Sequence, residues 1–201
     1  MTERDTPLIL ASASPRRKEI LEAHGFTPVV IPSDVDEALP ADKYFTPEET
    51  VIFLAKLKAE AVFSALNAKD WPFGCMILGV DTIVYKDRII GKPVDEADAL
   101  EILRTLRKDS HKVISGVCLI RTKSHNGKFE TEEKLLFSDT TIVRFGDYTD
   151  EEILAYVRAN PPYDKSGSYA IQSDWKRHVL EIDGDIENVI GLPFIKLSEY
   201  L

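Results

Sequence analysis

The sequence has only two cysteines in 201 residues, and they lie far apart, at Cys75 and Cys118. Each sits in or beside an apolar run without the paired spacing of a metal site, so neither a disulfide framework nor a zinc site is expected. A reducing, cytoplasmic location is therefore predicted. The apolar run near the N-terminus is only a few residues long, which is too short for a signal peptide or a membrane span.

Positive charge is also scarce. There are 25 Lys and Arg residues against 34 Asp and Glu residues, which gives a formal net charge of -9. Such a surface repels nucleic acid and anionic membranes, so neither is expected as a partner. Any phosphate-binding site must therefore be a local basic pocket.

Several common signatures are missing from the sequence. The four histidines, His24, His111, His125 and His178, show neither an HxxxH spacing nor the order of a Ser-His-Asp triad. There is no internal repeat, low-complexity tract or linker. The composition, with 44% hydrophobic and 29% charged residues, is typical of a globular chain that forms one domain over residues 1–201.

Apolar periodicity and capping signals predict alternating strands and helices. Ser14 as N-cap and Pro15 open the first helix, and Thr46 and Glu49 form a capping box before a long second helix. The predicted strands are Leu8–Leu10, 27–31, 76–85, 88–90, 111–121 and 140–145, and the other helices span 95–106, 149–159 and a segment from about Pro193. Before this last segment, short apolar runs at 169–171, 179–182 and 189–190 alternate with turns. This order indicates an α/β fold with a mixed sheet flanked by helices. Two lobes around a cleft are compatible with it.

Asp81 is the first residue that departs from a core pattern. It lies within the almost continuously apolar run from Met76 to Tyr85, where a buried carboxylate is costly unless it is paired or coordinated. One interpretation is an aspartate at a strand end that caps a neighbouring loop. The other is a general base or metal ligand at the carboxyl end of a sheet strand, where α/β proteins bind ligands.

Lys58 is the second departure, because it shares a helix face with the apolar residues Leu54 and Val62. A lysine there either snorkels to the surface or serves a site. Lys92, which follows the same strand and turn as Asp81, and Glu37, in an acidic loop, are weaker candidates. Each is more often a solvated charge.

The segment from Ser12 to Arg17 joins a predicted strand to a predicted helix. Backbone N–H groups at the helix start, serine hydroxyls and the guanidinium groups of Arg16 and Arg17 suit phosphate oxygens. The two arginines could instead be simple surface residues, although a positive charge in the first turn opposes the helix dipole. Together with the carboxylates, these groups are the parts that hydrolysis of a phosphoanhydride needs.

Five motifs in order resemble the Maf family of nucleoside triphosphate pyrophosphatases. They read LILASASPRRKEIL, LAKLKAE, GVDTIVYKDRIIGKP, YDKSGSYAIQ and NVIGLP and together span nearly the whole chain. The resemblance implies a fold similar to that of inosine triphosphate pyrophosphatase, a divalent cation (Mg²⁺ or Mn²⁺) as cofactor, and a homodimer. It also implies release of monophosphate and pyrophosphate after water attacks the α-phosphorus.

The resemblance also assigns roles. Asp81 matches the proton acceptor and Glu37 matches a pocket position. In the mechanism that we expect, Glu37 and Asp81 hold the divalent cation through their oxygens. The other matching pocket positions are Ser12, Arg16, Arg17, Lys58, Thr82, Lys92 and Gln172, of which Arg16, Thr82 and Gln172 match specificity positions. Arginine directly after Pro15 resembles the branch that acts on dTTP and UTP, and modified pyrimidine nucleotides are further candidate substrates.

Two alternatives and two departures accompany this prediction. A nucleotide-binding regulator of cell division would keep the basic pocket but would not need the carboxylate pair. A nucleic-acid-binding protein conflicts with the net charge. Ser166 stands where the family usually has alanine, and residues 173–177 replace the usual glycine-rich turn after Gln172, which bears on the preferred base.

Overall fold

The computed structural model describes residues 6–40 and 45–201. In chain order, the strands and helices are as follows: β1 Leu8–Leu10, α1 Pro15–Ala23, β2 Val29–Val30, α2 Pro47–Ala65, β3 Met76–Lys86, β4 Arg88–Ile90, α3 Glu96–Leu106, β5 Ser110–His125, β6 Lys128–Phe145, α4 Asp150–Ala159, β7 Val179–Asp183, α5 Ile186–Ile190 and α6 Phe194–Leu197. Short 3-10 turns, among them Ser166–Ser168 and Asp174–His178, fill the connections.

The strands form one mixed sheet of seven strands. Its order is β2-β1-β3-β5-β6-β7, and β4 pairs with the end of β3. The strand β1 runs parallel to β2 and β3, whereas the other pairs are antiparallel. The predicted α/β fold with a mixed sheet and flanking helices is therefore confirmed.

Local signals explain where the helices begin. Thr46 and Thr149 each form a complete capping box, with Glu49 and Glu152 as partners, and Asp95 caps α3. Ser14 occupies the predicted N-cap position of α1, but its side chain makes no capping hydrogen bond. The predicted starts of α1 and α2 are thus confirmed, but the capping hydrogen bond expected from the Ser14 side chain is not formed.

Some predicted boundaries were wrong. The sixth strand begins at Lys128 rather than at Thr140, because a long hairpin with its turn at Asn126 and Gly127 continues β5 and β6 beyond the apolar segments. The second strand is shorter than predicted, and the apolar pair Val189 and Ile190 ends helix α5. Residues 41–44 of the predicted acidic loop lie outside the described residues.

The helix α2 packs on one face of the sheet at very short range. At Gly79 in β3 an added Cβ would lie 2.2 Å from the carbonyl oxygen of Ala55, and at Gly116 in β5 it would lie 2.2 Å from the carbonyl carbon of Val51. Only glycine therefore permits this approach of helix and sheet backbones. The helices α1 and α6 cover the opposite face, and α3 and α4 enclose a further core at the end of the sheet. Within the described ranges, no helix combines the length and apolar character that crossing a bilayer requires.

Candidate active site

A gap in the edge of β3 creates the site. On this edge β1 pairs with Met76–Leu78 and β4 pairs with Val84–Lys86, while the other edge pairs with β5 throughout. Asp81 and Thr82 lie in the interval between β1 and β4. Because successive residues of a strand point to opposite faces, the two side chains reach a ligand from different faces of the sheet.

A cavity of about 590 Å³ opens at this gap, a size typical of ligand sites. Every residue predicted for the site lines it: Ser12, Arg16, Arg17, Glu37, Lys58, Asp81, Thr82, Lys92 and Gln172. The structure therefore brings together predicted residues from four of the sequence motifs and the acidic loop, and the fifth motif adds Val189, Ile190 and Gly191 to the lining.

Asp81 is buried in the middle of β3, not at a strand end as one sequence interpretation required. Its Oδ1 atom accepts a 2.6 Å hydrogen bond from Lys58 Nζ, and the same nitrogen lies 3.0 Å from Glu37 Oε1. Lys58 therefore does not snorkel out to solvent. Its ammonium bridges two carboxylates at the cavity wall.

The two carboxylates fit a divalent cation. Their oxygens are hard ligands that already converge on one positive charge, and Mg²⁺ usually takes one or two carboxylates together with substrate phosphates and water. No cluster of three or more His, Cys, Asp or Glu side chains suited to a metal occurs in the described part of the chain. The phosphates of a ligand would have to supply further oxygens.

Arg17 lies on the other face of the strand gap. Its Nε donates to the carbonyl oxygen of Gly191 at 2.8 Å, its Nη1 donates to Ser12 Oγ at 2.8 Å, and its Nη2 donates to Thr82 Oγ1 at 3.2 Å. Burial lowers the pKa of the guanidinium from its usual value, and the negative charge of Asp81 opposes that effect. Arg17 is thus fixed by three neutral acceptors and keeps its charge for an anion.

The remaining predicted residues lie around the mouth of the cavity. Arg16 Nη1 forms a 3.0 Å ion pair with Asp164, whereas Lys92 and Gln172 are exposed. Among the contacts of the described residues, Asp81 pairs with Lys58 and none joins it to Lys92. Of residues 173–177, all of which the structure describes, none lines the cavity, and Trp175 is instead buried in the core.

Apolar side chains line another part of the cavity. They are Val84, Val113, Tyr169, Ile171, Val189 and Ile190. The hydroxyl of Tyr169 lies 2.7 Å from Nε2 of the buried residue His111, which holds the tyrosine ring in place. This wall suits the flat surface of a base, while the charged part suits phosphates.

Sequence reasoning missed several of these residues. Asp164 and Tyr169 lie in a motif that was recognised, but no pattern gave them a role. Ser115 carried a signal, because it is a polar residue in the otherwise apolar run of β5. Gly191 contributes a backbone carbonyl, which no side-chain pattern reveals.

Comparisons with known proteins identify the family of the chain. The family model described as "Maf-like protein" matches residues 7–201. A protein named dTTP/UTP pyrophosphatase from Bacillus thuringiensis subsp. konkukian is 42% identical over 195 residues, which cover 96% of this chain and 93% of that protein. A protein of the same name from Lachnoclostridium phytofermentans is 39% identical over 193 residues, covering 96% and 92%. The chain therefore belongs to the Maf-like protein family.

Proposed function

We propose that this protein hydrolyses dTTP and UTP, and modified pyrimidine nucleoside triphosphates, to the monophosphate and pyrophosphate. The observation that carries the proposal is the buried cluster of Asp81, Lys58 and Glu37 beside a cationic cavity. The names of the relatives support this choice of substrates. A regulator that only binds nucleotides would have no use for two carboxylates next to phosphate-binding cations.

The charged side chains of the cavity suit a triphosphate. Arg16, Arg17, Lys58, Lys92 and Lys165 supply positive charge, and Glu37, Asp81 and Asp164 supply negative charge. The wall is therefore locally cationic, although the chain as a whole carries a net charge of -9. Cations fixed before the ligand arrives stabilise the charge that moves towards the leaving pyrophosphate in the transition state.

Asp81 serves as the base in this proposal. Its carboxylate is held by the hydrogen bond from Lys58 Nζ and would take the proton of a water molecule aimed at the α-phosphorus. Glu37 and Asp81 would also hold Mg²⁺ or Mn²⁺, which when bound neutralises charge on the phosphate oxygens. Glu37 is the more exposed of the two carboxylates and is accordingly the better placed for the metal, which leaves Asp81 closer to the role of base.

The apolar wall serves the base of the nucleotide. Tyr169 and Ile171 offer flat and apolar surface, and Gln172 offers an amide donor and acceptor for the edge of a pyrimidine. Arg16 is held at the same rim by Asp164. This combination supports Arg16 and Gln172 as residues that discriminate between bases.

The assembly and location form a subsidiary proposal. The protein works as a homodimer of single-domain chains in the cytoplasm, without nucleic acid or membrane as partner, as the family resemblance and the acidic net charge indicate. Light scattering coupled to size exclusion measures the mass in solution. A monomeric mass at micromolar concentration would contradict the dimer.

Product analysis tests the reaction. Purified protein is mixed with Mg²⁺ or Mn²⁺ and, in turn, dTTP, UTP, CTP, GTP, ATP and 5-methyl-UTP, and the products are separated by ion exchange. Monophosphate plus pyrophosphate, formed fastest from dTTP or UTP, is expected. Release of orthophosphate, or binding without any turnover, would contradict the proposal, and the latter would favour the regulator.

A further inference from the structure

The buried hydroxyl of Ser115 stands out in the centre of the sheet. Ser115 is fully buried in β5, where its neighbours along the strand are apolar or glycine. A hydroxyl in such a place is costly unless it is hydrogen-bonded. Its oxygen lies 2.8 Å from Thr82 Oγ1, directly across from it in the β3–β5 register.

The direction of this hydrogen bond follows from counting donors and acceptors. Thr82 Oγ1 accepts from Arg17 Nη2 at 3.2 Å and lies 3.4 Å from the carbonyl oxygen of Gly191. Within the described part of the chain, the Ser115 hydroxyl has Thr82 as its hydrogen-bond partner. If Ser115 donates, Thr82 accepts twice and its own proton can turn to Gly191, so that every donor is used.

The opposite direction would leave the Ser115 proton without a partner in a fully buried position. Ser115 therefore donates and fixes the rotamer of Thr82. Thr82 in turn holds one nitrogen of the Arg17 guanidinium, while Ser12 and Gly191 hold the other two. A guanidinium has five N–H donors, so two remain for a ligand in the cavity.

We infer that Ser115 is a positioning residue for the reaction: through Thr82 it fixes the plane of the Arg17 guanidinium so that the two remaining N–H groups face the phosphates of the substrate. This inference depends on the proposed function for the identity of the ligand. It gives Thr82 a role at the phosphates through Arg17, in addition to the specificity position implied by the family resemblance. Ser115 touches neither the cavity nor the ligand.

The test compares four single variants and the double variant Ser115→Ala, Thr82→Val. Ser115→Ala removes the donor, and Ser115→Thr restores a hydroxyl at the same place. Thr82→Val removes the same hydrogen bond from its other end and serves if Ser115→Ala does not fold. Thr122→Val is the matched control, because Thr122 is a buried hydroxyl of the same strand that bonds to Cys75, remote from the cavity. Thermal unfolding of each variant checks the fold.

Inorganic triphosphate carries no nucleoside, so its affinity in the presence of Mg²⁺, measured by calorimetry, depends only on the phosphate-binding part of the cavity. Thr82→Val removes the acceptor of Arg17 Nη2 and should lower this affinity about tenfold, as expected for the loss of one hydrogen bond to a charged group. Ser115→Ala removes the hydroxyl that orients this acceptor and should lower the affinity by about threefold to tenfold. The double variant should be no weaker than Thr82→Val, because Ser115 acts through Thr82. Ser115→Thr should recover most of the affinity, and Thr122→Val should keep the wild-type value.

Kinetics with dTTP give a second readout. Ser115→Ala should raise KM and lower kcat, whereas Thr122→Val should change neither. Wild-type triphosphate affinity in Ser115→Ala, or an equal loss in Thr122→Val, would overturn the inference. If the wild-type protein binds triphosphate but does not hydrolyse dTTP, the proposed function fails and the calorimetry still decides the role of Ser115. If wild-type protein does not bind triphosphate, both are overturned.

Discussion

Lys58 Nζ donates a 2.6 Å hydrogen bond to Asp81 Oδ1, and the exposed fractions of the two side chains are only 11% and 10%. The pair joins a helix to the open edge of a strand. Each charge is stabilised by the other in a buried position, where an unpaired charge would be strongly destabilising. The same pair lines the cavity, so this one contact affects both the stability of the fold and the reaction proposed for the site.

The first prediction concerns the base. Asp81→Asn keeps the shape of the side chain but removes its ability to take a proton, so kcat for dTTP should fall at least about 100-fold. KM should change little, because the phosphate-binding cations remain. Steady-state kinetics measure both, with Asp183→Asn as the control, a carboxylate on β7 that does not line the cavity. An unchanged kcat in Asp81→Asn would exclude it as the base.

The second prediction concerns the stability of the buried pair. Lys58→Met leaves the Asp81 carboxylate buried without its closest cation, which should lower the free energy of unfolding by about 3 kcal/mol. The double variant Lys58→Met, Asp81→Leu replaces both charges with apolar groups and should recover most of this loss. Urea denaturation of the wild type, Lys58→Met, Asp81→Leu and the double variant gives the cycle. A loss in the double variant equal to the sum of the two single losses would show that the two side chains are not coupled.

The third prediction concerns pH. Burial lowers the pKa of His111 from 6.5 to about 3, so the folded protein keeps this side chain neutral where the unfolded chain does not. Above pH 6.5 neither state binds the proton and the group has no effect. As pH falls below 6.5, only the unfolded state takes up a proton, and the free energy of unfolding should fall by up to about 1.4 kcal/mol per pH unit.

The comparison protein for this pH effect is His111→Gln, which has no imidazole to protonate but can still bond to Tyr169. The free energy of unfolding of His111→Gln minus that of the wild type should increase as pH drops from 7.5 to 4.5. Urea denaturation at each pH measures this difference. His125→Gln, at an exposed histidine of the long hairpin, should run parallel to wild type. Parallel curves for His111→Gln would contradict a buried neutral histidine.

The fourth prediction concerns the close approach of α2 to the sheet. In Gly79→Ala the new methyl group would meet the backbone oxygen of Ala55 at 2.2 Å, so the helix must move. The expected loss of stability is about 1–3 kcal/mol, and kcat should fall because Lys58 moves with the helix. Gly91→Ala, where a Cβ meets nothing within 4 Å, is the control for stability. Wild-type stability and kcat in Gly79→Ala would show that the short distance has no role.

Local features of the sequence predicted much of the fold. Thr46 with Glu49 marked a helix start because a capping box is complete within four residues, and the structure shows a second such box, Thr149 with Glu152, at the start of the predicted helix 149–159. The start of β6 was missed because its first half is exposed and polar, so its pairing with β5 depends on the hairpin rather than on an apolar pattern.

The site was partly predictable for a similar reason. Asp81 and Lys58 stood out because charges at apolar positions need a partner, and each proved to be the partner of the other. Ser115 is a polar residue in an apolar run, but the run alone does not show its partner, and Gly191 carries no side-chain signal. Their link to Arg17 depends on strand register and on a backbone carbonyl that lies 174 positions away along the chain.

The position of bond cleavage tests the central claim most directly. The protein is incubated with dTTP and Mg²⁺ in water enriched in ¹⁸O, and the products are examined by mass spectrometry. Attack at the α-phosphorus predicts one ¹⁸O atom in dTMP and none in pyrophosphate. Label in pyrophosphate with unlabelled dTMP, or labelled orthophosphate, would contradict the account.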